Sequence, residues 1–201
     1  IINGGVIKAY ESSARLGEGD WMVVEADESD GSFNKLPVTI AIVTNIDKEH
    51  LDYYGNFSKL KNAFMSFISS VPFYGFAICC CDDKNVSQLV SKISDRKIIT
   101  YGFSEDAQIR IKNIFFKNGV SHFDIDDRIN GVYLRDFQLP MVGEHNILNA
   151  CAAILVALQL SIPLNSIKSS LSGFDGVARR FSEVGSYNEA LIIDDYAHHP
   201  A

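Results

Sequence analysis

The run PVTIAIVTN, residues 37–45, is rich in β-branched residues and carries no charge. A strand that is apolar nearly throughout, instead of at alternate positions, is typical of a parallel sheet covered on both faces. Apolar residues at helical spacing follow it, which predicts an amphipathic helix over residues 57–69. A strand followed by a helix implies a parallel neighbour reached through a right-handed crossover. The stretch therefore predicts an α/β fold.

The same alternation extends to both sides of this run. Upstream, WMVVEA (21–26) is predicted to be a buried strand. Downstream, GFAICCC (75–81) and RKIITYG (96–102) are predicted strands, separated by a helix over about residues 86–93. This order predicts a mostly parallel sheet flanked by helices.

The pattern changes between about residues 107 and 140. Short alternating runs are separated there by Asn118-Gly119 and Asn130-Gly131, and Asn-Gly is the strongest short hairpin signal. We therefore expect a small antiparallel β-sheet inserted near 107–140.

Helical pattern returns after this insertion. Residues 144–160 (EHNILNACAAILVALQL) are apolar nearly all round, so a buried helix is predicted. A shorter helix over about 163–172 opens at Pro163, and the chain closes on a strand at ALIIDD (190–195).

The composition excludes several classes of protein. A chain of 201 residues with 47% hydrophobic residues fits one domain with a sizeable core. A net charge of −7 argues against a nucleic-acid partner. No apolar run approaches the roughly 20 residues of a membrane span. Cys79 to Cys81 cannot chelate a metal together, because neighbouring strand residues point to opposite faces. We interpret them as core filler in a cytoplasmic protein.

Polar residues follow three of the predicted strands. They lie at 25–30 (EADESD), at 44–45 (TN) and at 194–196 (DDY). In open α/β sheets, ligands bind outside the carboxyl ends of the strands. The carboxylates of 25–30 repel one another, and a divalent cation would reduce that repulsion. A solvated turn is the alternative interpretation.

Two further groups are candidates for binding a nucleotide. Arg179 and Arg180 offer guanidinium groups for phosphate or ribose oxygens. Asn146 and Asn149 lie one turn apart at the start of the predicted helix 144–160. Their amides could read a base edge or cap the helix.

Seven segments, in order, resemble the central, ATP-binding domain of the Mur ligases, and within that family the branch that adds L-alanine. The segments are EADESD (25–30), VTNIDKEHLDYYGNF (43–57), PFYG (72–75), YGFSEDA (101–107), GEHNILNA (143–150), GVARRF (176–181) and DDYAHHP (194–200).

The resemblance implies a role for particular residues. Glu25 and His50 are implied to be Mg²⁺ ligands and, with Arg180, catalytic residues. Of Asp27, Glu28 and Asp30, some are expected to bond to the backbone instead of a metal. The implied ATP-binding residues are His145, Asn146, Asn149, Arg180 and Asp195. Tyr196 and His198 are implied to approach the amino-acid substrate.

The resemblance also implies a reaction. A carboxylate of UDP-N-acetylmuramate attacks the γ-phosphate of ATP and becomes an acyl phosphate. The amine of L-alanine then attacks, giving an amide, ADP and phosphate. This is the chemistry of an acid–amino-acid ligase in peptidoglycan precursor synthesis.

One family feature is absent from the sequence. No G-x-x-x-x-G-K-[ST] phosphate loop occurs, since Gly4-Gly5 is not followed by the required lysine. We therefore expect residues 1–201 to be a central-domain fragment that ends at the linker to an absent C-terminal domain. It would lack the UDP-binding N-terminal domain and the phosphate loop, and by itself it is expected to be inactive.

Several alternatives remain open at this point. The murein tripeptide recycling ligase shares the architecture, but usually has tyrosine at the position of Ser29. Folate polyglutamylating ligases share the mechanism but lack the sequence motifs found here at 101–107 and 194–200. A Mg²⁺-dependent phosphohydrolase and a nucleotide-binding module without chemistry are the alternatives from other classes.

Overall fold

The protein, analysed as a computed structural model, is described for residues 1–196. The chain divides into two compact units. Unit 1 comprises Ile1–Glu25 and the chain from Phe174 onward, and unit 2 comprises Ala26–Gly173.

Strands and helices alternate through the first half of unit 2. The strands of the described residues are β1 (Ile2–Ile7), β2 (Ser12–Ala14), β3 (Ile40–Val43), β4 (Phe76–Cys80), β5 (Ile98–Gly102), β6 (Ile109–Lys117), β7 (Val120–Asp127), β8 (Val132–Leu139), β9 (Ser182–Tyr187) and β10 (Ala190–Asp194). Their α-helices are α1 (Leu51–Tyr54), α2 (Phe57–Ser69), α3 (Lys84–Val90), α4 (Glu144–Gln159) and α5 (Leu164–Ser172). None of these helices is long and apolar enough to cross a membrane.

Unit 2 is built on a six-stranded sheet with the order β3-β4-β5-β6-β7-β8. Strands β3 to β6 run parallel, and β6 to β8 pair antiparallel. The predicted α/β fold and the antiparallel strands near 107–140 are thus confirmed. These strands do not form a separate sheet, however. Ile109 of β6 pairs with Tyr101 of β5, which covers an edge that would otherwise leave backbone groups unpaired.

Strand β4 of unit 2 is covered on both faces, but the prediction that the run of β3 is covered on both faces is wrong for one face, because β3 is an edge strand and its Ile42 is 42% exposed. All five residues of β4 are buried. Ala77 and Cys79 pack in one core cluster with residues of α2 and α3. Successive strand residues point to opposite faces, so Ile78 and Cys80 face the other way, where α4 contacts β4. Cys79 and Cys80 are core residues, as expected, whereas Cys81 is only half-buried, and all four cysteines are free thiols.

The direction of α4 places its first turn at the carboxyl edge of the sheet. Near its end, the Gln159 Oε1 atom accepts a hydrogen bond of 2.8 Å from Lys97 Nζ, just before β5 starts. Cys151, two turns earlier, lies beside Cys80 and Tyr101 at the ends of β4 and β5. Helix α4 therefore runs antiparallel to β5. Its first turn reaches the edge at which α/β sheets bind ligands.

The prediction of a buried strand at 21–26 is wrong. Trp21, Met22 and Val23 are 53%, 62% and 63% exposed. Their segment makes a single parallel bridge, in which Ile2 N donates to Val23 O at 2.8 Å and Glu25 N donates to Ile2 O at 2.9 Å. An apolar run is buried only where other elements cover it, and one bridged residue covers little of its surface.

The closing strand exists, but it is not part of the six-stranded sheet. Strand β10 pairs antiparallel with β9 in a sheet of two strands. Asn188 and Glu189 both have positive φ, 46° and 66°, which is typical of the type I′ turn that closes tight hairpins. The expectation that three strands end at one edge of one sheet is therefore wrong, because 21–26 and 190–195 lie outside that sheet.

Candidate nucleotide and metal site

The acidic segment that follows Glu25 is organised by its own backbone. Asp27 Oδ1 accepts a hydrogen bond from Ser29 N at 2.8 Å, and Asp30 Oδ1 accepts one from Ser32 N at 2.9 Å. Hydrogen bonds from the backbone and side chain of Ser29 lower the pKa of Asp27, and hydrogen bonds from the side chain and backbone of Ser32 lower the pKa of Asp30. The expectation that some acidic residues bond to the backbone is confirmed for these two.

The same segment is fixed to the core of unit 2. Phe33 is buried, with its ring 5.3 Å from that of Phe64 and 5.1 Å from that of Phe67. Tyr54 donates its hydroxyl hydrogen to the carbonyl oxygen of Glu28 at 2.6 Å. Glu28 therefore projects from an anchored loop.

Glu28, Glu49 and His50 form the group of possible metal ligands in the described part of the chain. One ligand atom from each lies within 4.8 Å of the others. His50 Nε2 is 3.9 Å from Glu28 Oε1 and 3.9 Å from Glu49 Oε2, and all three side chains are about a third exposed. Two carboxylates and an imidazole fit a divalent cation.

Part of this cluster could be foreseen from the sequence. His50 was a predicted metal ligand, and Glu28 stood among the acidic residues left open. Glu49 was missed, although its place beside His50 in DKEHLD is a signal. His50 precedes α1 in the left-handed conformation, with φ of 53°. A pattern-based prediction does not anticipate that conformation for a residue other than glycine.

Glu25, the other predicted metal ligand, lies in unit 1. Its Oε2 atom accepts a hydrogen bond from Gly4 N at 2.7 Å, and the side chain is exposed. A Cβ atom at Gly4 would lie 3.2 Å from Glu25 Oε2, so a side chain there would crowd the carboxylate. The role of Glu25 as a metal ligand stays a prediction.

The predicted nucleotide-binding residues of unit 2 lie on the first turns of α4. Asn146 Nδ2 donates to Val142 O at 2.8 Å, so this amide holds the approach to the helix. Asn149, nearly one turn later, is exposed, as is His145. Gly143 has φ of 109°, and a Cβ atom there would lie 2.7 Å from His145 Cε1. Glycine at 143 therefore leaves room for the imidazole.

Unit 1 brings the remaining predicted residues together. Asp195 Oδ2 accepts a hydrogen bond from Phe181 N at 2.6 Å, next to the exposed Arg180. Tyr196 N donates to Arg179 O at 2.8 Å, and the Arg179 guanidinium lies 5.0 Å from the Tyr196 ring centre. His198, the other predicted substrate residue, lies outside the described residues.

A mostly parallel sheet with helices packed on both sides of β4, and with polar side chains and a helix start at its carboxyl edge, is typical of α/β domains that bind nucleotides. The sequence profile of the Mur ligase middle domain matches residues 7–157, and the chain belongs to this family. The family resemblance seen in the sequence is thus confirmed.

Individual relatives refine this assignment. Over 200 residues the chain is 52% identical to the UDP-N-acetylmuramate–L-alanine ligase of Dinoroseobacter shibae, covering 100% of this chain and 43% of that protein. The structure of UDP-N-acetylmuramate–alanine ligase MurC from Thermotoga maritima matches with a TM-score of 0.83 and 26% identity, over 100% of this chain and 44% of that one. The chain thus spans less than half the length of these relatives.

A more distant structure shares the fold. MurF ligase from Thermotoga maritima, in complex with ADP, matches with a TM-score of 0.69 at 19% identity. The match covers 87% of this chain and 42% of that one.

Proposed function

We propose that this chain is the nucleotide-binding part of an ATP-dependent ligase that joins L-alanine to UDP-N-acetylmuramate. The observation that carries the proposal is 52% identity, along the whole chain, to a protein named UDP-N-acetylmuramate–L-alanine ligase. Further relatives at 50–52% identity, from Roseobacter denitrificans and Ruegeria pomeroyi among others, have the same name. A cytoplasmic location is part of the proposal, because ATP is the energy source.

The proposal assigns residues 1–201 to the central domain of a longer enzyme. Relatives are more than twice as long as this chain, which covers 43% of the Dinoroseobacter protein. A UDP-binding domain and a phosphate loop would precede this part, and a C-terminal domain would follow it. The backbone N–H groups and lysine of such a loop would hold the β- and γ-phosphates.

The physical problem of the reaction is the approach of a carboxylate to a triphosphate, both of which are anions. Bound Mg²⁺ supplies positive charge that reduces this repulsion. Glu28, Glu49 and His50 of unit 2 suit that ion. Glu25 of unit 1 is proposed as a Mg²⁺ ligand separately from that cluster. The guanidinium group of Arg180 is proposed to stabilise negative charge on the transferred phosphoryl group.

Helix α4 is proposed to bind the nucleotide. The start of a helix carries partial positive charge and unpaired N–H groups, which favour an anionic ligand. Asn149 and His145 are exposed there and are proposed to contact ATP, while Asn146 shapes the turn before the helix. Asp195 is proposed to contact the ribose. Tyr196 and His198 are proposed to lie near L-alanine.

The recycling ligase for murein tripeptides is the second candidate. Ser29 and the names of the relatives at 50–52% identity both favour the L-alanine enzyme. A Mg²⁺-dependent phosphohydrolase is disfavoured by membership of the ligase family.

Phosphate release by the full-length protein tests the proposal. The assay supplies ATP and Mg²⁺ with UDP-N-acetylmuramate, and offers L-alanine, other amino acids or murein tripeptide in separate reactions. We expect release that requires both UDP-N-acetylmuramate and L-alanine. Release that requires the tripeptide would establish the recycling ligase instead. Release from a simple phosphomonoester would establish a hydrolase.

A further inference from the structure

Two adjacent aspartates, Asp82 and Asp83, follow β4, and their side chains accept hydrogen bonds from different elements. Asp83 Oδ1 accepts a hydrogen bond from Val86 N at 2.8 Å and caps the start of α3. Asp82 instead reaches across to the end of the neighbouring strand β5. Its two oxygens accept hydrogen bonds from Phe103 N at 2.7 Å and Ser104 N at 3.0 Å. Asp82 thus joins the carboxyl ends of two parallel strands.

Gly102, the last residue of β5, leaves room for this contact. A Cβ atom at Gly102 would lie 2.3 Å from Asp82 Oδ1. The φ of Gly102 is not in the left-handed region, so the requirement for glycine is spatial. The absence of a side chain at Gly102 therefore allows the Asp82 carboxylate to reach the backbone N–H groups of Phe103 and Ser104.

The loop after β5 is also fastened from its other side. Arg110 Nε donates to Phe103 O at 3.0 Å, and Arg110 pairs with Glu105. Arg128 donates to the carbonyl oxygens of Glu105 and Ala107. Glu105 is 73% exposed, and exposed ion pairs add little to stability. We infer that the main effect of these contacts is to fix the position of the loop 103–107, with a smaller effect on the stability of the fold.

The location of this loop connects it to the nucleotide. It leaves the carboxyl end of β5, at the edge of the sheet that the first turn of α4 also reaches. Burial raises the pKa of the Cys151 thiol in α4, and the charges of Cys80 and Asp82 raise it further. Ligands of parallel α/β sheets bind outside this edge.

We propose that Asp82 is a positioning residue for the purine nucleotide, acting through the loop 103–107. Its carboxylate holds the backbone of Phe103 and Ser104 in place, so that the loop forms one wall of the site beside the first turn of α4. Asp82 itself does not contact the nucleotide. This inference rests on the proposed function and adds a residue to the same site.

Kinetics of full-length variants provide the first test. Asp82→Ala is expected to raise the KM for ATP about tenfold, by the loss of two charge-assisted hydrogen bonds, while the KM for L-alanine stays near wild type. Asp82→Asn keeps one acceptor oxygen, so an intermediate KM is expected. Asp83→Ala is the matched control. It removes a helix cap and lowers the melting temperature, but the KM for ATP should not change.

Gly102→Ala tests the same contact without altering Asp82. Its new methyl group displaces the carboxylate, so this variant should also raise the KM for ATP. Adding Asp82→Ala should then change the KM little further, because both substitutions break one contact. Equal changes in KM for Asp82→Ala and Asp83→Ala would overturn the proposal. An unchanged KM in folded Asp82→Ala, Asp82→Asn and Gly102→Ala would overturn it too.

Hydrogen exchange separates this inference from the proposed function. ATP with Mg²⁺ should slow amide exchange in a peptide covering 101–108 of the wild-type protein, and it should do so much less in Asp82→Asn. If the wild-type protein shows no L-alanine-dependent phosphate release, the proposed function fails, yet protection of 101–108 by ATP would still support the inference. Absence of that protection in the wild-type protein would overturn it.

Discussion

Two apolar runs that look alike in the sequence have different environments in the structure. Residues 40–43 (IAIV) form β3, an edge strand of the six-stranded sheet, in which Ala41 and Val43 are 1% and 2% exposed but Ile42 is 42% exposed. Residues 21–24 (WMVV) make one bridge, and Trp21 is 53% exposed. Both runs predict a buried strand equally well. The difference is that β4 pairs with the first run and residues of α2 and α3 cover its Ala41 and Val43, whereas the second run pairs with Ile2.

The comparison shows that an apolar run makes a segment suitable for burial but does not ensure that it is buried. Whether it is buried depends on neighbours that are distant in the sequence. The proposed site residues are divided between the units, since Glu25, Arg180 and Asp195 lie in unit 1 and His50 and Asn149 lie in unit 2. Variants in the two units can test how much each contributes.

The largest effect is expected at the metal ligands. Glu25→Ala in unit 1 should lower turnover of the full-length enzyme by at least about 100-fold, because charge stabilisation of the transferred phosphoryl group is lost. Glu28→Ala tests the cluster of unit 2 in the same assay. Glu18→Ala, another exposed acid of unit 1, is the control and should keep wild-type turnover. Wild-type activity of Glu25→Ala at ordinary Mg²⁺ concentrations would contradict the prediction.

The next largest effect is expected from the contrast between buried and exposed apolar residues. Ile78→Ala in β4 should lower the free energy of unfolding by about 2–5 kcal/mol, since it leaves a cavity at a fully buried position. Val23→Ala should change it by no more than about 0.5 kcal/mol, because Val23 is 63% exposed. Urea unfolding followed by far-ultraviolet circular dichroism measures both. Similar losses in the two variants would show that 21–24 is covered in solution.

A third pair of variants tests one proposed nucleotide-binding residue in each unit. Asn149→Ala and Arg180→Ala should each raise the KM for ATP much more than that for L-alanine. Each removes a polar contact worth on the order of 1–3 kcal/mol if its partner is left unpaired. Gln159→Ala, at the other end of α4, is the control and should leave the KM for ATP unchanged. Unaltered ATP dependence in both variants would mean that the nucleotide binds elsewhere.

The smallest effect concerns the acidic loop of unit 2. The hydrogen bonds from Ser29 hold the pKa of Asp27 below its usual range, so its ionised form stabilises the fold. This contribution is present above the unfolded pKa of about 4 and is lost as the pH falls through the lower folded pKa. Urea midpoints measured from pH 6 to pH 2 should therefore fall less steeply for Asp27→Asn than for wild type. Parallel curves would show that the bond does not affect stability.

Much of unit 2 could be predicted because its signals are local. The helix predicted over 57–69 coincides with α2, and the predicted strands within 37–45, 75–81 and 96–102 contain β3, β4 and β5. Apolar periodicity and β-branched composition act on neighbouring residues, so the pattern is visible in a short window. The pairing of β6 with β5 was not predicted, because nothing local distinguishes a separate hairpin from one that extends a sheet.

The candidate site shows the same division. The predicted residues of α4 lie together because helical spacing places them on adjacent turns. The contact of Asp82 with Ser104 spans 22 positions, and no motif announced it. Likewise Glu28 meets His50 only because the acidic loop is anchored by Phe33 and Tyr54.

The sequence by itself determined the family, the α/β class and the residue types that a metal and a nucleotide require. These follow from ordered motifs and local periodicity, which can be recognised in the sequence without a structure. Only the tertiary structure decided which carboxylates meet His50, which apolar run is buried, and which aspartate joins the ends of two strands. Those outcomes depend on contacts between residues far apart in the chain, whose free energy is set by packing and hydrogen bonding in three dimensions.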